Sequence, residues 1–181
     1  MSKPLESITP DLQTWLAAQH VFFVATAPAS TDAHINCSPK GLDAFRVLGP
    51  RRVAFLDVTG SGAETIAHVR ENGRILFMFC AFTGAPRIIR LHGRGTVVLP
   101  GTPSWDALYG HFSPHPSARA IIRVDVTRIS ESCGWGVPLF EFKEPRSSLT
   151  RWAETKGAEG LKEYQSRKNR RSIDGLPAIE P

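Results

Sequence analysis

Apolar positions along this chain fall mainly into short runs bounded by turn residues, not into long helical stripes. His20–Ala27, Arg52–Val58, Arg74–Phe82, Arg87–Leu99 and Ala118–Ser130 are rich in Val, Ile, Leu and Phe and read as strands. Within the last of these, Ile122, Val124 and Val126 alternate with polar positions, as a half-buried strand requires. Ala33–Ser38 reads as an antiparallel partner of the first run, stopped by Pro39, and Phe45–Leu48 as a shorter strand. Gly93 and Gly95 inside a strand predict a bulge, or a close approach by a ligand or another backbone.

Helical spacing and end signals appear in four places. In Ser7–Ala18, Thr9 can cap, Pro10 suits the first position, and Leu12, Trp15 and Leu16 share a face. Ala63–Glu71 turns Ile66, Ala67 and Val69–Arg70 inward and closes on Asn72–Gly73. Pro103–Phe112 begins at Thr102, and Ser148–Arg167 is a helix broken at Gly157 and Gly160. Ser172–Pro181 reads as an extended arm.

Strands outnumber helices, and only Arg52–Phe82 has a strand–helix–strand pattern. That favours a mainly β fold, an antiparallel barrel with peripheral helices, over a doubly wound sheet. No repeat or composition shift divides the chain. One domain is expected over 1–181, with the helix and arm of 146–181 packed on it.

Composition narrows the function classes. The chain has 181 residues, 41% hydrophobic and 22% charged, ordinary for a water-soluble domain. The apolar stretches Val21–Ala27 and Ile75–Phe82 fall short of the roughly 20 residues that span a bilayer. Met1–Asp11 lacks the apolar core of a signal peptide, so no membrane partner and a cytoplasmic location are expected. Cys37, Cys80 and Cys133 are an odd set without CxxC spacing, which argues against a disulfide framework or zinc. His111 and His115 have i, i+4 spacing, but Pro114 and Pro116 break any regular helix there, and no metal is expected. The formal charge of +5 suits an anionic ligand without specifying one. The basic run Arg167–Arg171 reads as a solvated tail. With Tyr164 its only nearby aromatic, nucleic acid is the least favoured partner.

Two segments carry candidate chemistry. Asn36-Cys37-Ser38-Pro39-Lys40-Gly41 delivers an amide, a hydroxyl, a cation and a glycine where a strand ends, a set that suits a phosphate and also suits a plain surface turn. Gly60-Ser61-Gly62-Ala63-Glu64-Thr65 places permissive glycines and hydroxyls before a helix. It reads as an anion site on free backbone N–H groups, or as a cap by Ser61 with Glu64 completing a capping box. Thr65 stands where a dinucleotide fingerprint needs its third glycine, and repeated βαβ units are missing, which argues against a Rossmann site.

The order of these segments resembles the pyridoxamine 5′-phosphate oxidase-like family. Gln19–Thr26 precedes the Asn-x-Ser-Pro-Lys-Gly turn. Then come Val53–Asp57, the Gly-Ser-Gly turn, the helix Glu64–Asn72 leading into Arg74-Ile75-Leu76-Phe77, and Arg87–Gly95. The resemblance covers Leu12 to Val126. Ser132-Cys133-Gly134-Trp135-Gly136-Val137-Pro138 and Ser172–Pro177 also look like an uncharacterised branch of that family. It implies a Greek-key split β-barrel that binds flavin mononucleotide (FMN) and pairs as a homodimer with sites at the interface. Residue by residue, it implies cofactor contacts at Asn36, Ser38, Lys40, Ser61, Gly62, Glu64 and Thr65, with Arg90 sharing the phosphate and Trp135 near the flavin. Glu64 departs from the Arg or Lys usual at that helix start, which shifts weight to Lys40, Arg90 and backbone amides.

The resemblance also implies an FMN-dependent oxidoreductase acting on a small molecule, with NAD(P)H as a candidate donor. Alternatives are a non-catalytic flavin-binding or sequestering module, and a split barrel using deazaflavin F420 or haem. The Arg-x-His element of the true oxidase has no match after Cys133, so that enzyme's own reaction is not implied. No general acid or base stands out; His92 and Arg94 flank Gly93 as possible ligand contacts.

Overall fold

The computed structural model describes residues 4–179. The outermost positions of the expected domain, including the last two of the expected arm, lie outside the described residues.

The strands are β1 (Phe22–Thr26), β2 (Asn36–Lys40), β3 (Phe45–Gly49), β4 (Arg52–Val58), β5 (Arg74–Cys80), β6 (Ile88–Val98) and β7 (Ala118–Ser132). They form one sheet in the order β2-β1-β5-β6-β7-β4-β3, every neighbour antiparallel. The edge strands β2 and β3 do not pair with each other. The sheet instead coils until aromatic rings meet across the gap. Phe45 on β3 lies 5.4 Å from the Phe22 ring of β1 and 4.9 Å from Phe79 of β5. A barrel closed on one side by side chains and not by a hydrogen-bonded ladder is a split barrel, as the sequence predicts.

The interior holds Val24, Phe55, Phe77, Ile89, Leu91, Ile122 and Ile129, all at 0% exposure. Each contributes about 1.5–3 kcal/mol by leaving water. Helix α1 (Pro10–Ala17) starts as expected, with Thr9 Oγ1 accepting from Leu12 N and Pro10 in the first turn, and it adds Leu12 and Leu16 to this core. Helix α2 (Glu64–Asn72) adds Ile66, Ala67 and Val69 and ends on Gly73, whose φ of 71° needs a residue without Cβ. Helix α3 (Pro103–Tyr109) packs Trp105 against a second cluster with Leu56, Val98 and Ile121.

The expectation for Gly93 holds through the chain's own backbone. The β6–β7 register shifts between His92 and Gly93, and a Cβ on Gly93 would lie 2.6 Å from the Asp125 carbonyl. Helix α4 (Ser148–Lys168) kinks at Gly157, where φ is 64°, while Gly160 stays helical.

Four local readings are corrected. Pro39 does not stop β2; it lies within it opposite Phe23, because an edge strand can present a residue without N–H to the outside. Arg70 is exposed, not inward, since α2 buries the arc from Thr65 to Val69. Ser61 does not cap α2: the helix begins later, Ala63 is its N-cap, and no side chain caps it. The chain after Ser172 is not extended; it turns back, with Leu176 O accepting from Ser172 N and a bridge between Arg171 and Pro177.

Candidate functional site

Because β2 alternates, Asn36, Ser38 and Lys40 share one face of it, opposite Thr26, Val24 and Phe22 of β1. That face points into the barrel end beside the start of α2. Asn36 Nδ2 donates to Thr65 Oγ1 and to Thr26 Oγ1, both at 3.1 Å, and Ser38 Oγ donates to Asn36 Oδ1 at 2.9 Å. Thr26 Oγ1 also lies 3.0 Å from Nδ1 of His68, a fully buried side chain whose Nε2 has no hydrogen-bond partner among the described residues. Burial pulls the His68 pKa below its ordinary value, against the opposing pull of Glu64, Glu71 and Asp174.

The second half of the site is a buried ion cluster. Lys40 Nζ lies 3.4 Å from Asp57 Oδ1, and Arg119 Nε lies 2.7 Å from Asp57 Oδ2. Asp57 and Arg119 have side chains 1% and 5% exposed, while Lys40 keeps 23% and its ammonium lies 5.9 Å from the centre of the Phe55 ring. Burial alone would raise the Asp57 pKa; the Arg119 and Lys40 charges and hydrogen bonds outweigh it and hold the carboxyl below its ordinary value. Arg119 Nη2 donates to the Gly62 carbonyl at 2.9 Å, which ties the loop before α2 to the barrel. Arg119 Nη1 is buried with no acceptor among the described residues.

The carboxylate of Glu64 folds back over Gly62. Glu64 Oε1 in turn accepts from Ile173 N at 3.3 Å. The carboxylate that could have completed a capping box therefore fastens the C-terminal turn. That turn is held at two further points: Asn169 Nδ2 donates to the Gly60 carbonyl, and Asp174 accepts from His34 N at 2.9 Å and lies 2.7 Å from its Nδ1. Ser61 sits exposed in the loop beside these contacts.

Of the residues singled out in sequence, the fold brings together Asn36, Ser38, Lys40, Gly62, Glu64 and Thr65. It does not bring Arg90 or Trp135 to them within one chain. Lys40 shares an inner row with Phe22, Phe79 and Ile89; Arg90, one residue on, points to the outer face, where its Nη1 donates to Ser132 Oγ at 2.8 Å. Trp135 is 83% exposed, on a turn that Gly134 fits against the Arg87 backbone. Sequence reading missed Asp57, Arg119, Thr26 and His68. The available signal was a charge inside each of two apolar strand runs, Val53–Val58 and Ala118–Val124, since charges in such runs need partners.

The chemistry on offer is anion binding. Lys40 and Arg119 against the single carboxylate of Asp57 leave one positive charge, and Arg119 Nη1 is a donor seeking an acceptor. These residues fit a phosphate monoester at the Lys40 end. The start of α2, with Glu64 across it, does not offer a second cation.

Comparison with known proteins bears on the family and the fold. The sequence profile described as pyridoxamine 5′-phosphate oxidase matches residues 8–133. The chain is 42% identical over 191 residues to the pyridoxamine 5′-phosphate oxidase family protein ustO of Aspergillus flavus, covering 96% of this chain and 76% of that protein. Among solved structures, HupZ of Group A Streptococcus superposes with a TM-score of 0.55 at 20% identity, over 70% of this chain and 94% of its own. A Lactobacillus delbrueckii protein provisionally named a pyridoxamine 5′-phosphate oxidase gives 0.53 at 18%, over 71% and 99%. At such identities the two structures speak for the fold alone.

Proposed function

The chain belongs to the pyridoxamine 5′-phosphate oxidase family, and from that premise we propose that it binds FMN, its phosphate gripped at the Lys40–Asp57–Arg119 cluster. The observation that carries the reading is Arg119 Nη1: a buried guanidinium donor without an acceptor among the described residues, beside a lysine that is only loosely held at 3.4 Å. An anionic oxygen at the Lys40 end gives the ammonium a full partner and brings an acceptor to the same cluster. Asn36 and Ser38 extend the same polar face and would orient the ligand along β2. When bound, the flavin supplies hydride or electron transfer; the chain supplies binding and orientation.

The finer reading is an FMN-dependent oxidoreductase of a small molecule, with NAD(P)H as donor, working as a homodimer. The exposed apolar side chains Trp135, Leu139 and Phe140 support pairing, since a second copy would cover them. Arg90 and Trp135 join a cofactor site only if that second copy supplies them.

The test is titration of the purified full chain with FMN, followed by flavin fluorescence and the visible spectrum. Saturable binding with a flavin spectrum supports the reading. No binding at millimolar FMN sinks it, and a deazaflavin or haem spectrum in the protein as purified replaces it. Reduction of the bound flavin by NADH or NADPH then separates an enzyme from a passive carrier.

A further inference from the structure

A groove on the outer face of the sheet is lined by cations without carboxylate partners among the described residues. Its volume is about 360 Å³, and its walls include Ala25, Ile35, Leu76, Arg74, His92 and Arg94. That volume falls in the range of small-molecule sites. Arg74 on β5 and Arg94 on β6 are directly opposite in the register, a like-charge cross-strand pair that weakens a sheet unless something answers it. Arg94 Nη1 donates to the Asn72 carbonyl, a neutral acceptor. The nearest carboxylates in sequence and register are engaged elsewhere. Asp125, opposite Arg94 on β7, pairs with Arg52 at 2.9 Å, and Glu71 accepts from Ala29 N and Asn72 Nδ2. His92 lies on the same face, and burial followed by the Arg128 and Arg90 charges holds its pKa down.

We propose that this groove binds a small-molecule oxyanion, a phosphate or carboxylate held by Arg74 and Arg94, with its apolar body on Ala25, Leu76 and Ile35. The two guanidiniums supply paired N–H donors suited to an oxyanion, and the apolar residues beside them give a flat body somewhere to rest. The groove is distinct from the Lys40 cluster but adjacent to it: Thr26 lines the groove and also accepts from Asn36. It lies toward Gly93 and Arg94, away from the Ile88–Ser132 end of the β6–β7 pair where the Trp135 turn emerges. The ligand could be the phosphates of a dinucleotide donor or the oxyanion of the molecule being transformed.

The test uses the full chain and inorganic pyrophosphate, followed by calorimetry and by the proton resonances of the His92 ring. Saturable binding is expected, with a His92 shift and a rise of its pKa as the anion offsets the neighbouring arginines. The Arg74→Gln/Arg94→Gln double variant should bind about tenfold or more weakly, as lost charge-assisted bonds predict, with its titration by FMN unchanged. Leu76→Glu, which places a carboxylate in the groove, should abolish binding while the chain still titrates with FMN. A silent His92 resonance at millimolar pyrophosphate overturns the proposal, as does equal competition by chloride or unchanged affinity in the double variant. Competition by NADPH and by phenyl phosphate assigns the source: stronger displacement by the dinucleotide points to the donor, the reverse to the substrate.

Discussion

Asp57 and Arg119 meet at 2.7 Å at the buried end of the barrel, 62 residues apart in the chain and almost without contact with water. The pair fixes β4 against β7 and, through the Gly62 carbonyl, fixes the loop that begins α2. Removing one member strands the other's charge in a poorly solvated site. Asp57→Ala is expected to cost about 3–5 kcal/mol of stability, read from urea unfolding. The Asp57→Ala/Arg119→Met double variant should recover much of that loss; a double variant no more stable than the single one would show that the charge itself is not the cause.

The same pair shapes the acid limb of stability. The Asp57 pKa is lower in the folded chain than its ordinary 3.8, so the unfolded state takes up its proton first as pH falls. Its contribution is whole above the unfolded value and is lost as pH drops through the folded one. Unfolding free energies measured between pH 5 and pH 2 should fall more steeply, within about that window, for the wild type than for the Asp57→Ala/Arg119→Met variant.

His68 governs a higher window. Its folded pKa lies below the ordinary 6.5, so its contribution is present above that value and declines as pH falls beneath it. His92 and His115 are shifted in the same direction and add to the slope. His68→Gln should flatten the stability profile just below the ordinary histidine pKa, with the residual slope left by the other two. An unaltered profile would mean that His68 is not buried neutral.

Lys40→Ala should weaken FMN binding by about 1–3 kcal/mol, the worth of a charge-assisted bond to phosphate. Fluorescence titration measures it. Lys40→Arg, which keeps the charge, should retain most of the affinity, whereas equal losses in both variants would indicate shape and not charge.

Gly93→Ala tests the bulge. The added Cβ would fall 2.5 Å from Val124 Cγ1 and 2.6 Å from the Asp125 carbonyl, and the backbone contact cannot rotate away. A loss of about 1–3 kcal/mol is expected, measured by thermal or urea unfolding. Gly95→Ala meets the Val69 side chain at 3.0 Å and should cost less.

What the chain determined by itself was local. Thr9 and Pro10 at the start of α1, Thr102 at α3, Gly73 at the end of α2, and the alternation of Ile122, Val124 and Val126 in β7 are matters of neighbouring dihedrals, caps and side-chain alternation, all readable within a few residues. The ordered segments also sufficed to indicate the fold family, but that Asn36, Ser38 and Lys40 share one face follows only from β2 running on through Pro39. Only the tertiary structure decided that Arg119 serves Asp57, that Glu64 fastens the turn at Ile173, and that Arg90 faces away from Lys40. Those outcomes depend on strand register and sheet closure between distant segments, where a shift of one residue reverses every side chain's face. The local pattern limits which registers are possible; the packing of Phe22, Phe45 and Phe79 across the open side of the barrel favours the one that is formed.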